Sequence, residues 1–145
     1  MSKYNALKHG ILSKEVLLEE EEEKILVEIG KKLRTELEPQ TELELVLVDR
    51  ITANVWRLKR VMQMEREMME DSKKGSIGER SYKLGQTLTH YGVAHNDIYG
   101  KLIRYESSIE RGTYKALHEL QRIQAARMGE KPSVPVAVDI DVTKD

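Results

Sequence analysis

Four histidines, His9, His90, His95 and His118, are the first residues to weigh, because imidazole serves both as a metal ligand and as a general base. His90 and His95 stand five apart, which does not stack them on one helical face as an i, i+4 pair would. No HExxH run and no cysteine completes a zinc set. Asp139, Asp141 and Asp145 match part of a calcium loop but lack its glycine and its closing glutamate. The stretch KKGSIGERSYKLG lacks the GK[ST] ending of a phosphate loop. No Ser/His/Asp arrangement has a local signature, and no carboxylate pair stands out among 25 acids. Without cysteine there is neither a disulfide nor a thiol nucleophile. These residues point away from an enzyme, with no catalytic residues, no metal and no cofactor expected.

The basic residues carry more. In the run Trp56, Arg57, Leu58, Lys59, Arg60, Leu58 belongs with Val55 to an apolar stripe, so Arg57 and Arg60 fall on or beside the opposite face. That is either a basic strip beside an aromatic ring, suited to phosphates, or a solvated face on which Trp56 caps the core. Arg104, Arg111, Lys115 and Arg122, spaced seven, four and seven apart, either extend the strip or pair with Glu65, Glu67 and Glu70. Met62, Met64, Met68 and Met69 supply either a pliable groove or interface filling near a helix end.

The elements that position these residues are helical. Of 145 residues, 34% are charged and 39% hydrophobic, with no Phe and one Trp, a mixture that favours long helices in one domain. So few aromatics leave a thin core, and such chains commonly complete it at a subunit interface, so a homo-oligomer is expected. The net charge is −1 but unevenly spread: residues 19–44 hold ten Glu against Lys24, Lys31, Lys32 and Arg34, whereas 71–129 hold ten Lys or Arg against six acids. A polarised molecule holds a phosphate backbone on one side despite a neutral total. No apolar run approaches the roughly 20 residues of a membrane helix, and residues 1–15 lack an apolar signal core, so no membrane association and a cytoplasmic location are expected.

Along the chain, residues 1–18 read as an arm broken by Gly10 and Ser13, and 19–129 as a helical domain. The acids at 19–23 suit a first helical turn, where carboxylates complement exposed amides, and Pro39 stops that helix after Leu37. Thr41 with Glu44 has capping-box spacing and opens a second helix carrying Leu45, Val48, Ile51, Val55, Leu58 and Met62. A connector over 73–95, with one short helix at about 79–88, leads to a third helix capped by Asn96 or Asp97 and running to about 128. Its stripe is Ile98, Leu102, Tyr105, Ile109, Ala116, Leu120 and Ile123, and Gly100 and Gly112 are either tolerated costs or points of close approach. The fold expected is all-α: a short N-terminal helix and a long antiparallel hairpin of about 41–72 and 96–128. Val48, Ile51, Val55, Leu58, Leu102, Tyr105 and Ile109 are its expected oligomer interface. In the tail at 130–145, Val134, Val136, Val138, Ile140 and Val142 alternate with other residues, reading as an intersubunit strand or else a disordered end.

The segment Asn5-Ala6-Leu7-Lys8-His9-Gly10-Ile11 resembles the N-A-x-K-H-G-aliphatic run near the start of phage terminase small subunits and related mobile-element proteins. The resemblance implies a non-enzymatic DNA-packaging component in a bacterial or archaeal host cell, with a helical hairpin assembled into a ring, sometimes closed by C-terminal strands. Its implied partners are copies of itself, DNA and a large-subunit ATPase or nuclease. The alternative is a structural or adaptor subunit of a virion or nucleoprotein complex that binds no DNA itself. Residues 1–40 hold at most one good helix, too little for the helix-turn-helix domain that many such proteins carry. DNA contacts are therefore expected from the arm (Lys3, Lys8, His9, Lys14), the strip (Arg57, Lys59, Arg60), and Arg104 and Arg111.

Overall fold

The computed structural model describes residues 16–19, 21–74 and 97–131, which build three helices: α1 (Glu23–Leu37), α2 (Glu42–Lys74) and α3 (Ile98–Arg127). Among the described residues there is no strand. The expected arm before Val16, the connector helix at 79–88 and the tail strand lie outside them.

Several helix boundaries have a local cause, although Asp97, the N-cap of α3, makes no side-chain capping hydrogen bond. α1 starts only at Glu23, so four of the five acids at 19–23 precede it rather than forming its first turn. It ends on Glu38, whose backbone turns left-handed (φ 45°) while its N–H donates to the Arg34 carbonyl, and Pro39 forbids another turn. Thr41 Oγ1 accepts the Glu44 amide at 3.2 Å, as the capping-box spacing predicts. The Glu44 carboxylate reaches one residue further back than that motif requires, accepting the Gln40 amide at 2.7 Å. At the end of α3, the Glu130 amide donates to the Ala125 carbonyl and the Gly129 amide to that of Ala126. This paired closure needs a left-handed residue, and Gly129 supplies it at φ 76°.

α2 and α3, 33 and 30 residues long, run antiparallel. Arg127 at the end of α3 meets Glu44 at the start of α2, and Tyr99 at the start of α3 donates to Glu65. Their seam repeats every seven residues. On α2, positions 44, 51, 58, 65 and 47, 54, 61, 68 are all buried or half-buried, as are 99, 106, 113, 120 and 102, 109, 116, 123 on α3. A seven-residue repeat makes straight helices coil gently about each other. It also corrects the expected stripe, which steps from Leu58 to Met62. Val61 is buried instead and Met62 is 63% exposed, while Tyr105 on α3 is 46% exposed.

The seam belongs to one chain. Val48, Ile51, Ala116 and Leu120 form one buried cluster, with Val55 partly buried against it; Val61, Leu102 and Ile109 form another, with Leu58 against it. Six of the seven helical residues expected to face a second copy are thus consumed inside the hairpin, because antiparallel helices of matched length satisfy each other's stripes. α1 adds a third layer over the first half of α2: Leu26, with Ile25 and Ile29, packs on Val16, Ala53 and Trp56, and Leu33 and Leu37 reach the Val48 cluster. Arg34 pins α1 to α2 through Asp49, 2.6 Å away. At the other end Met62, Met64, Ile98, Ile103 and Tyr105 are exposed. A Cβ on Gly112 would meet Asn54 at an ordinary 3.5 Å, so no close approach demands this glycine.

Candidate nucleic-acid interface

Because the seam fixes the rotation of α3, it also fixes what α3 shows to solvent. The two lines opposite the seam are Lys101, Ser108, Lys115, Arg122 and Arg104, Arg111, His118, Ala125. Neither line contains a carboxylate, and every side chain on them except half-buried Ala125 is exposed. At about 1.5 Å per residue, the cations from Lys101 to Arg122 form a row about 32 Å long. Two acids flank it. Asp97 lies 3.2 Å from Arg104, and Glu119 lies 3.1 Å from Arg122. The Glu119 hydrogen bond, followed by its charge, raises the Arg122 pKa above the usual guanidinium value. Both pairs are local and exposed, a setting in which ion pairs contribute little and exchange readily.

Arg104 and Arg111, expected to contact DNA, stand in this row, and Lys115 and Arg122 extend it. Arg104 and Arg122 pair with acids of their own segment, Asp97 and Glu119, rather than with α2. Glu65 accepts the Tyr99 hydroxyl, Glu67 accepts Gln63, and Glu70 pairs with Arg66.

The expected strip on α2 is largely committed to the fold. Arg60 donates through Nε and Nη2 to both oxygens of Glu21, at 2.7 and 2.8 Å, and through Nη2 to the Val16 carbonyl at 2.6 Å. Trp56, 5% exposed, donates its indole N–H to the same carboxylate at 2.9 Å, as does the Leu18 amide. Hydrogen bonding by Arg60 outweighs the burial that opposes it, and with Leu18, Trp56 and the arginine charge it lowers the Glu21 pKa from 4.5 to about 2. Arg60, expected to contact DNA, is thus engaged as a clip holding the chain ahead of α1. Arg57 is half-buried and donates to Asn54 at 3.1 Å. Lys59 remains exposed, its ammonium 4.9 Å from the Trp56 ring centroid, within cation–π range. Beside the clip lies an open groove lined by Leu18, Ile25, Trp56, Lys59, Gln63 and Met64 among others.

A second polar lock holds the basic helix in place. Glu44 is fully buried; besides the Gln40 amide it accepts Arg127 Nε at 2.9 Å, while Gln124 donates to the Leu37 carbonyl at 2.7 Å. Burial alone would raise the Glu44 pKa. The Gln40 amide, Arg127 and Gln124 together overcome it and leave the pKa below the usual carboxylate value. Near the other end of the seam, burial and the Glu65 carboxylate both raise the Tyr99 pKa and keep its hydroxyl a donor.

No local pattern in the sequence marks Glu21 and Glu44 as fold-organising residues. Glu21 sits inside a run of five glutamates, and nothing local marks the one that faces Arg60. Glu44 reads as a cap, which it is, but its partner Arg127 lies 83 residues away. Lys3, Lys8, His9, Lys14, Val136, Val138 and Ile140 lie outside the described residues. Among the described residues, no group of three or more histidines and acids is placed to hold a metal, and no helix is long and apolar enough to cross a membrane. No protein-family model matches this chain, and no curated protein or solved structure matches it either.

Proposed function

We propose that this chain is a non-enzymatic nucleic-acid-binding subunit that grips phosphates along the outer face of α3. The observation that carries the proposal is the carboxylate-free double line of Lys101, Arg104, Arg111, Lys115, His118 and Arg122 on a helix whose rotation is locked by its seam. A net charge of −1 makes such segregation of cations onto one face more informative than it would be in a uniformly basic protein. Contacts of this kind position a backbone without reading bases, so binding is salt-dependent and weakly sequence-specific. The resemblance of Asn5–Ile11 to the terminase small-subunit segment favours a role for this activity in a phage DNA-packaging or related mobile-element assembly, with self-association and a motor or nuclease partner. Self-association then falls to residues other than the seam, the exposed Met62, Ile103 and Tyr105 foremost.

The rival reading, an adaptor or structural subunit without nucleic acid, draws on that same exposed apolar group. The two separate in a fluorescence anisotropy titration at low salt against unrelated oligonucleotides. Binding of every sequence with similar affinity, weakened by Arg104→Ala, Arg111→Ala, Lys115→Ala and Arg122→Ala together, supports the nucleic-acid reading. An unaltered anisotropy with every oligonucleotide leaves the adaptor.

A further inference from the structure

The geometry points to a flexible single strand, rather than a duplex, as the nucleic acid that α3 holds, with Tyr114 as the side chain on which a base stacks. This inference rests on the nucleic-acid reading above and names the class of ligand. Its first support is shape. The cationic row is continuous and about 32 Å long, set by the rise of one helix. Each strand of a rigid duplex follows a fixed helical path of its own, so a duplex meets only part of the row. A single strand bends to follow all of it.

The second support is Tyr114. It is 64% exposed, the most exposed aromatic side chain among the described residues. It lies on the line bordering the cationic face, one turn from Arg111 and from His118 and next to Lys115. The remaining residues on its line, Gly100, Ser107 and Gln121, are small or uncharged, and the nearest acid is exposed Glu110, one turn before Tyr114 on the side away from the cations. A cationic track with an aromatic platform beside it is the arrangement by which single strands are bound without sequence preference. The phosphates pair with the cations and a splayed base lies on the ring. An aromatic ring exposed to this degree does little for the fold, because the seam lies on the other side of the helix.

The test compares a labelled polythymidine strand with a duplex, each about 20 nucleotides long, against wild type, Tyr114→Phe, Tyr114→Leu and Tyr114→Ala. Expected is tighter binding of the single strand. Tyr114→Ala and Tyr114→Leu should weaken it about tenfold and Tyr114→Phe should keep it, while duplex affinity changes by less than about twofold. Tyr114→Leu keeps an apolar side chain, so a loss shared with Tyr114→Ala belongs to the ring. Unchanged single-strand affinity in both variants, or a preference for duplex, overturns the inference and leaves the nucleic-acid reading standing. Failure of the wild type to bind either ligand overturns both.

Discussion

Glu44 offers the sharpest test of how α3 is held. In Glu44→Ala the Gln40 amide loses its acceptor at 2.7 Å and Arg127 loses its acceptor at 2.9 Å. Hydrogen bonds to a charged group contribute about 1.5–3 kcal/mol each, and removing one member of a buried ion pair costs about 3–5 kcal/mol. The Arg127 side chain is 36% exposed and turns to water once freed, whereas that of Glu44 is fully buried, so the lower part of that span applies. Glu44→Ala should therefore cost about 3–4 kcal/mol. Arg127→Ala leaves the carboxylate with its Gln40 partner and should cost less, about 1–3 kcal/mol. Urea unfolding followed by far-ultraviolet circular dichroism measures both, and the double variant should cost less than the sum of the two. The lowered Glu44 pKa adds a sign. The stabilisation is complete above the unfolded value of 4.5 and is lost as pH falls through the lower folded value. A Glu44→Ala variant within about 0.5 kcal/mol of wild type, or strictly additive variants, would refute the lock.

The Glu21 clip predicts an acid limb of its own. With the pKa at about 2 against 4.5 unfolded, its contribution is full above pH 4.5 and disappears as pH approaches 2. Solvent screening of this partly exposed pair reduces that contribution to about 1–2 kcal/mol, which Glu21→Gln should remove, flattening the unfolding midpoint between pH 5 and pH 2. The phase of the seam is checked by neighbouring alanines: Val61→Ala should cost about 2 kcal/mol in thermal unfolding, and Met62→Ala less than about 0.5 kcal/mol. Equal costs would restore the original stripe.

The local features of this fold were legible because they depend on residues a few positions apart. Pro39, the Thr41–Glu44 spacing and the stripes of α2 and α3 place the helices to within a few residues of where they lie. The phase of the seam was harder to read. Steps of three and four favour Leu58 to Met62 as readily as Leu58 to Val61, and only the partner helix decides. Long-range pairing was illegible for a different reason. Trp56, Arg57, Lys59 and Arg60 look like a basic strip until Glu21, 39 residues from Arg60, closes on the arginine and the indole. The row on α3 was half visible in its charges, but its alignment on one face emerges only once the heptad seam shows which residues lie together.

The most direct measurement is the salt dependence of nucleic-acid binding by wild type and by single alanine variants of Arg104, Arg111, Lys115 and Arg122. With about four phosphates neutralised, the slope of log affinity against log salt should be about −3 for a single strand, and each alanine should reduce it by about 0.7. Variants in the committed side chains Arg57 and Arg60 should leave the slope of the folded protein unchanged. A slope near zero, or one that responds to Arg57 and Arg60 but not to the α3 residues, would contradict the placement of the interface on α3.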